Sequence, residues 1–100
     1  MSRYGRKGNE KSIRDLLATV FDDYRIAEKL REVALRTNWE EVAGPMVAKY
    51  TQEITLRNGI LKIRVNSAPL REELQYMKEQ LLAQANEELK ERAVKQVVVC

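Results

Sequence analysis

The sequence contains no histidine and one cysteine, Cys100, so the commonest metal ligands and general bases are missing from its chemistry. A lone thiol closes no internal disulfide, and without imidazole or further thiolates no structural zinc site is expected. Acid-base catalysis would fall to carboxylates or to a lysine of depressed pKa, groups that need burial or clustering in a pocket. The acidic pairs Asp22-Asp23, Glu40-Glu41, Glu72-Glu73 and Glu87-Glu88 are adjacent in sequence. Such neighbours diverge on a helix, so they read as solvated surface rather than as catalytic dyads. No catalytic residue, cofactor or metal is expected. Nor is there an apolar run of the roughly eighteen residues that a membrane span requires, and no apolar segment follows the basic N-terminus as in a signal peptide. The expectation is a reducing, cytoplasmic setting with no membrane partner.

With two prolines and four glycines the chain has few breakers, and its 44% hydrophobic and 33% charged residues are those of a folded chain with a polar exterior. One hundred residues make one domain. The net charge of +3 is unevenly placed. Arg3, Arg6, Lys7, Lys11 and Arg14 face only Glu10 in residues 1–14, leaving the remainder near balance. Attraction to a polyanion is therefore expected chiefly from this segment and from local patches. Residues 1–11 lack periodicity and read as a flexible basic arm, with a single folded domain over 12–100.

Ser12 can cap a helix with Ile13, Leu16, Leu17 and Val20 on one face. Asp22-Asp23 read as a break and a second N-cap, followed by an inward stripe of Ile26, Leu30, Val33, Ala34 and Thr37. Leu35, Trp39 and Val42 lie nearly opposite that stripe, so this helix either bends near Thr37-Asn38 or buries Trp39 against a second partner. Gly44-Pro45 ends it, and Met46 to Tyr50 forms a short helical turn.

Asn58-Gly59 is the favoured pair for a two-residue type I′ hairpin loop. It sets Arg57 opposite Ile60, Leu56 opposite Leu61 and Ile54 opposite Ile63, so the aliphatic side chains share one face. Thr55 then opposes Lys62 and Glu53 opposes Arg64 on the other. A long helix is expected from near Pro69, with Leu70, Leu74, Met77, Leu81, Ala85 and Leu89 inward. Val94 to Cys100 reads as a third strand. The expected class is α+β, in the order α-α-β-β-α-β, with a small three-stranded sheet packed against helices.

Three constellations bear on binding. Gly5-Arg6-Lys7-Gly8 spells the G-x-x-G of the KH domain, whose loop clamps a nucleic-acid backbone. That loop joins two helices, whereas here the match precedes every apolar element, so a basic arm with non-specific phosphate affinity is the favoured reading. Arg57, Lys62 and Arg64 share the hairpin's outer face or tip, suited to a phosphate backbone or an acidic protein surface, or simply to solubility and edge protection. Trp39, the only tryptophan, reads either as a core anchor or as an exposed partner contact.

The stretch from Trp39 to Gly44, Val47 to Thr51, the hairpin Ile54 to Gly59, Leu61 to Val65, Ser67 and Leu70 to Leu74 together resemble the DciA-like family of bacterial replicative-helicase loaders. This family was formerly described as a domain of unknown function, and the likeness runs from about Ser12 to Val99. The resemblance implies a KH-like fold without the clamp loop. It also implies a non-enzymatic role in DNA replication initiation, in which the domain binds the replicative DNA helicase and assists its loading or activity, with partner contact possible at Trp39. The alternative is a general RNA- or single-strand-nucleic-acid-binding protein, in which Arg3, Arg6, Lys7, Lys11 and Arg14 would carry the affinity together with Arg57, Lys62 and Arg64.

Overall fold

The structure, a computed structural model, describes residues 13–100, and their side chains from residue 23 onward. Its elements are α1 (Ile13–Thr37), α2 (Trp39–Ala43), α3 (Pro45–Tyr50), β1 (Thr51–Arg57), β2 (Ile60–Val65), α4 (Ala68–Gln75), α5 (Lys78–Leu89) and β3 (Gln96–Val99). The class is α+β, with the three strands in the spatial order β1-β2-β3. The flexible arm expected over residues 1–11 and the Ser12 cap lie outside the described residues.

The hairpin follows its turn chemistry. Asn58 and Gly59 adopt φ of 54° and 80°, the positive values a type I′ loop needs. The register pairs Arg57 with Ile60, Leu56 with Leu61, Thr55 with Lys62, Ile54 with Ile63 and Glu53 with Arg64, as the alternation requires. Ile54, Leu56, Leu61, Ile63 and Val65 are buried on the inner face. β3 runs parallel to β2, with Val97 beside Leu61 and Val99 beside Ile63, and the ladder continues through Cys100, whose N–H donates to the Ile63 carbonyl at 2.9 Å.

Parallel strands need a crossover, and α4 and α5 supply it over the inner face. Ser67 caps α4 by accepting the Leu70 N–H at 3.3 Å, and Pro69 occupies the first turn, where its missing N–H is harmless. The long helix expected here is divided. Tyr76 and Met77 donate to carbonyls three residues back, and this tight turn redirects the chain between the two helices. The apolar stripe survives the break: Leu74, Leu81 and Ala85 are buried, with Leu70, Met77 and Leu89 packed at the margin.

A side chain braces the loop into β3 at Val94. Asn86 donates to the Val94 carbonyl at 2.9 Å and accepts the Val94 N–H at 2.8 Å, replacing the strand partner that this buried residue lacks. Asn86→Ala leaves both backbone groups unpaired and is expected to cost about 2 kcal/mol. Urea denaturation of the variant measures that loss.

The N-terminal half departs from expectation at two points. Asp22-Asp23 do not interrupt the helix, because α1 runs unbroken from Ile13 to Thr37. An aspartate in a helix interior costs only about 0.7 kcal/mol, too little to stop a helix anchored by packing further along. The second departure concerns the buried face. Ile26, Leu30 and Val33 are exposed, and the residues turned inward are Glu32 and Leu35, followed by Trp39 and Val42 of α2. The inward stripe expected at Ile26, Leu30, Val33, Ala34 and Thr37 is thus on the wrong side. What decides the orientation is the sheet edge against which α1 lies. The helix does end at Thr37-Asn38, and Gly44, at φ 97°, turns the chain between α2 and α3.

Candidate functional site

All the described helices lie on the inner face or along an edge, so no described element covers the other face of the hairpin. Three rows cross it: Arg57, Ile60 and Gln96; Thr55, Lys62 and Val98; and Glu53 beside Arg64. Arg57, Lys62 and Arg64 are exposed, and together with Glu53, Thr55, Asn58 and Ile60 they line one shallow, open hollow. Arg64 Nη2 lies 3.0 Å from Glu53 Oε1, so that pair is internally matched. Arg57 and Lys62 stand without such an ion pair among the described residues, leaving a surplus of two positive charges on this face. Among the described residues no aromatic ring stands on it for base stacking. Chemically the face suits phosphates or carboxylates held at the surface.

A second feature lies where α1 meets the sheet. Among the described residues β1 pairs only with β2, so one side of its backbone has no described strand neighbour. Glu32, 5% exposed, fills part of that side. Its Oε1 accepts the Leu56 N–H at 2.9 Å, while Oε2 is met by Lys29 Nζ at 3.0 Å and Arg36 Nη2 at 2.6 Å. Arg36 Nη2 also reaches the Ile54 carbonyl at 3.5 Å. Burial alone raises a carboxyl's pKa, but here the Leu56 N–H, Lys29 and Arg36 together outweigh it, so Glu32 titrates below the ordinary carboxylate range. This anchor is why the polar side of α1 faces inward. Nearby, Arg31 Nε and Nη2 reach the two carboxylate oxygens of Glu91 at 2.8 and 3.1 Å and tie α1 to the loop before β3.

Trp39 is 4% exposed and packs in the core. Its indole N–H donates to Thr51 Oγ1 at 3.0 Å, and that hydroxyl donates to the Val47 carbonyl at 2.6 Å, which locks α2 and α3 to the start of β1. Part of the ring also borders the groove between α1 and β1, alongside Lys29, Glu32 and Arg36.

Of the cations singled out from the sequence, the fold gathers Arg57, Lys62 and Arg64 on one surface. Arg3, Arg6, Lys7 and Lys11 lie outside the described residues, and Arg14 stands in the first turn of α1 with its side chain undescribed. Glu32, Lys29 and Arg36 were not singled out. Their only mark in the sequence is a glutamate with cations three residues before and four after it, which on most helices is an ordinary surface pattern. Among the described residues no group of three or more acidic or thiol side chains is gathered as a metal site would be, and no helix is long and apolar enough to cross a membrane. The α4–α5 junction reads Gln75-Tyr76-Met77-Lys78, without the paired glycines of a phosphate-clamping loop.

The family described as "Dna[CI] antecedent, DciA" matches this chain over residues 12–99, which takes in every described element. No curated protein matches it.

Proposed function

The chain belongs to the DciA family, and from that premise we propose that it is a non-enzymatic adaptor of bacterial DNA replication initiation. In this reading it binds the replicative DNA helicase in the cytoplasm and assists its loading or activity on DNA, while hydrolysing nothing itself. The observation that carries the reading is the extent of the family match, which spans the folded domain rather than one motif. The surface agrees with it. Charged groups are spread over open faces and edges, an arrangement suited to gripping macromolecules, and the hollows are shallow.

Trp39 supports partner binding indirectly in this proposal, by holding α2 and α3 against β1 so that the α1 groove keeps its shape. Contacts to DNA fall to Arg57, Lys62 and Arg64, supplemented by Arg3, Arg6, Lys7, Lys11 and Arg14. The deciding experiment is equilibrium binding of the full chain to the replicative helicase of the same organism. A complex is expected at micromolar concentration, and its absence at low salt overturns the proposal.

The alternative, a general binder of RNA or single strands, draws on the same bare cationic face. That the described residues place no aromatic ring there weighs against it, because sequence-tolerant single-strand binding leans on stacking. For DNA affinity measured without helicase, Arg57→Glu together with Lys62→Glu is expected to flatten the slope of log K against log salt by about two, one for each lost phosphate contact. An unchanged slope removes the sheet face from DNA contact and leaves the N-terminal cations as its source.

A further inference from the structure

α1 has a second apolar face that no described element covers. Ile26, Leu30 and Val33 are 58%, 64% and 40% exposed, and their spacing of four and three residues sets them in one stripe on the solvent side of the helix. Single exposed aliphatics are ordinary on a protein surface; three aligned on one helix form a patch. The flanks differ. Arg25, Lys29 and Arg36 line the side towards the β1 edge, where two carboxylates are already engaged: Glu28 accepts the Gly59 N–H at 3.2 Å, and buried Glu32 is shared by Lys29 and Arg36. The other flank carries Ala27 and Ala34, both half-buried and small enough to let another backbone approach.

We propose that this face docks an amphipathic helix of a partner protein whose apolar stripe is bordered by acidic side chains. The stripe is a ridge of the kind that fits between the ridges of a second helix. The cationic flank selects for negative charge beside the partner's apolar residues and speeds encounter with it. Nucleic acid is a poor occupant, since its phosphates gain nothing from exposed aliphatics. A second copy is also disfavoured, because antiparallel pairing of two α1 stripes sets the Arg25, Lys29 and Arg36 flank against its own counterpart. The inference deepens the adaptor reading and rests on it: the partner helix is taken to belong to the replicative helicase.

The test compares helicase binding by the full chain, Leu30→Glu, the milder Leu30→Gln, Arg25→Glu, and Gln84→Glu as an exposed control on α5. Urea midpoints are recorded for each, and at these exposed positions they should stay in place. Leu30→Glu is expected to weaken binding at least tenfold, with Leu30→Gln intermediate, as for a central apolar contact. Arg25→Glu should weaken it about threefold and lessen its salt dependence, and Gln84→Glu should leave it as it was. If the unaltered chain binds no helicase, the adaptor reading falls and this inference with it. If that chain binds and both Leu30 variants bind equally well, the docking face alone is refuted. Dimerisation of the free chain that Leu30→Glu abolishes, with helicase affinity unchanged, would assign the stripe to self-association and likewise overturn the proposal.

Discussion

Replacing Trp39 with alanine is expected to remove about 3–5 kcal/mol of folding stability, the range for emptying a buried large aromatic site. The indole is 4% exposed and sits where α1 gives way to α2, and it carries the hydrogen bond to Thr51. Its loss therefore creates a void and strands a hydroxyl that has to find a new donor. Small domains are stable by roughly 5–15 kcal/mol, so the variant should be partly unfolded or easily unfolded at ambient temperature. A shift of the urea midpoint measures this, and an unchanged midpoint would contradict the core placement. Trp39→Phe keeps a six-membered aromatic ring but gives up the N–H and the rest of the five-membered ring, so a smaller loss of about 1–3 kcal/mol is expected. The distinction matters for any binding assay. A helicase-binding defect in the alanine variant reports on folding, whereas one in the phenylalanine variant reports on the groove.

The second large effect belongs to Glu32. Glu32→Ala leaves the buried Leu56 N–H without its acceptor, and that unpaired donor is expected to cost about 1–3 kcal/mol, while Lys29 and Arg36 lose their counter-charge but stay in contact with solvent. The same group confers acid sensitivity. Its folded-state pKa is lowered, so its contribution is fully present above the ordinary value of 4.5 and fades as pH falls through the lower folded value. The chain should therefore lose stability in the acid range below that value. Glu32→Gln, less stable at neutral pH, should show a shallower acid loss, because the amide has no proton to gain. Urea midpoints at neutral pH and at about pH 3 make the comparison. Equal acid slopes for the two proteins would show that other carboxylates, Glu91 beside Arg31 among them, dominate.

What could be read from the sequence followed from how local each determinant is. Asn58-Gly59 forces one loop geometry, and a two-residue loop sets every pairing behind it, so the register and the grouping of Arg57, Lys62 and Arg64 could be derived without coordinates. The covering stripe from Leu70 to Leu89 was equally plain, because its apolar period persists through the break at Tyr76-Met77. The break itself had no glycine or proline to announce it; it answers the direction the chain must take over the sheet. α1 was misread for a deeper reason. Hydrophobic periodicity weighs aliphatic residues, and the outward face with Ile26, Leu30 and Val33 outweighs an inward face whose principal anchor is a carboxylate. That anchor has meaning only once the unpaired side of β1 is in place, a contact between residues 32 and 56 that no window along the chain contains.

The sheet buries one face and leaves the other uncovered by any described element, and this separates two kinds of constraint. Substitutions at Thr55, Arg57, Lys62 or Arg64 alter what the outer face attracts, whereas Ile54, Leu56, Leu61 and Ile63, their immediate neighbours along the same strands, are constrained by interior packing. Alternate positions of one hairpin are thereby free to drift at very different rates. The charge presented to a partner can thus be retuned without disturbing the scaffold beneath, which accepts chiefly swaps that conserve apolar volume.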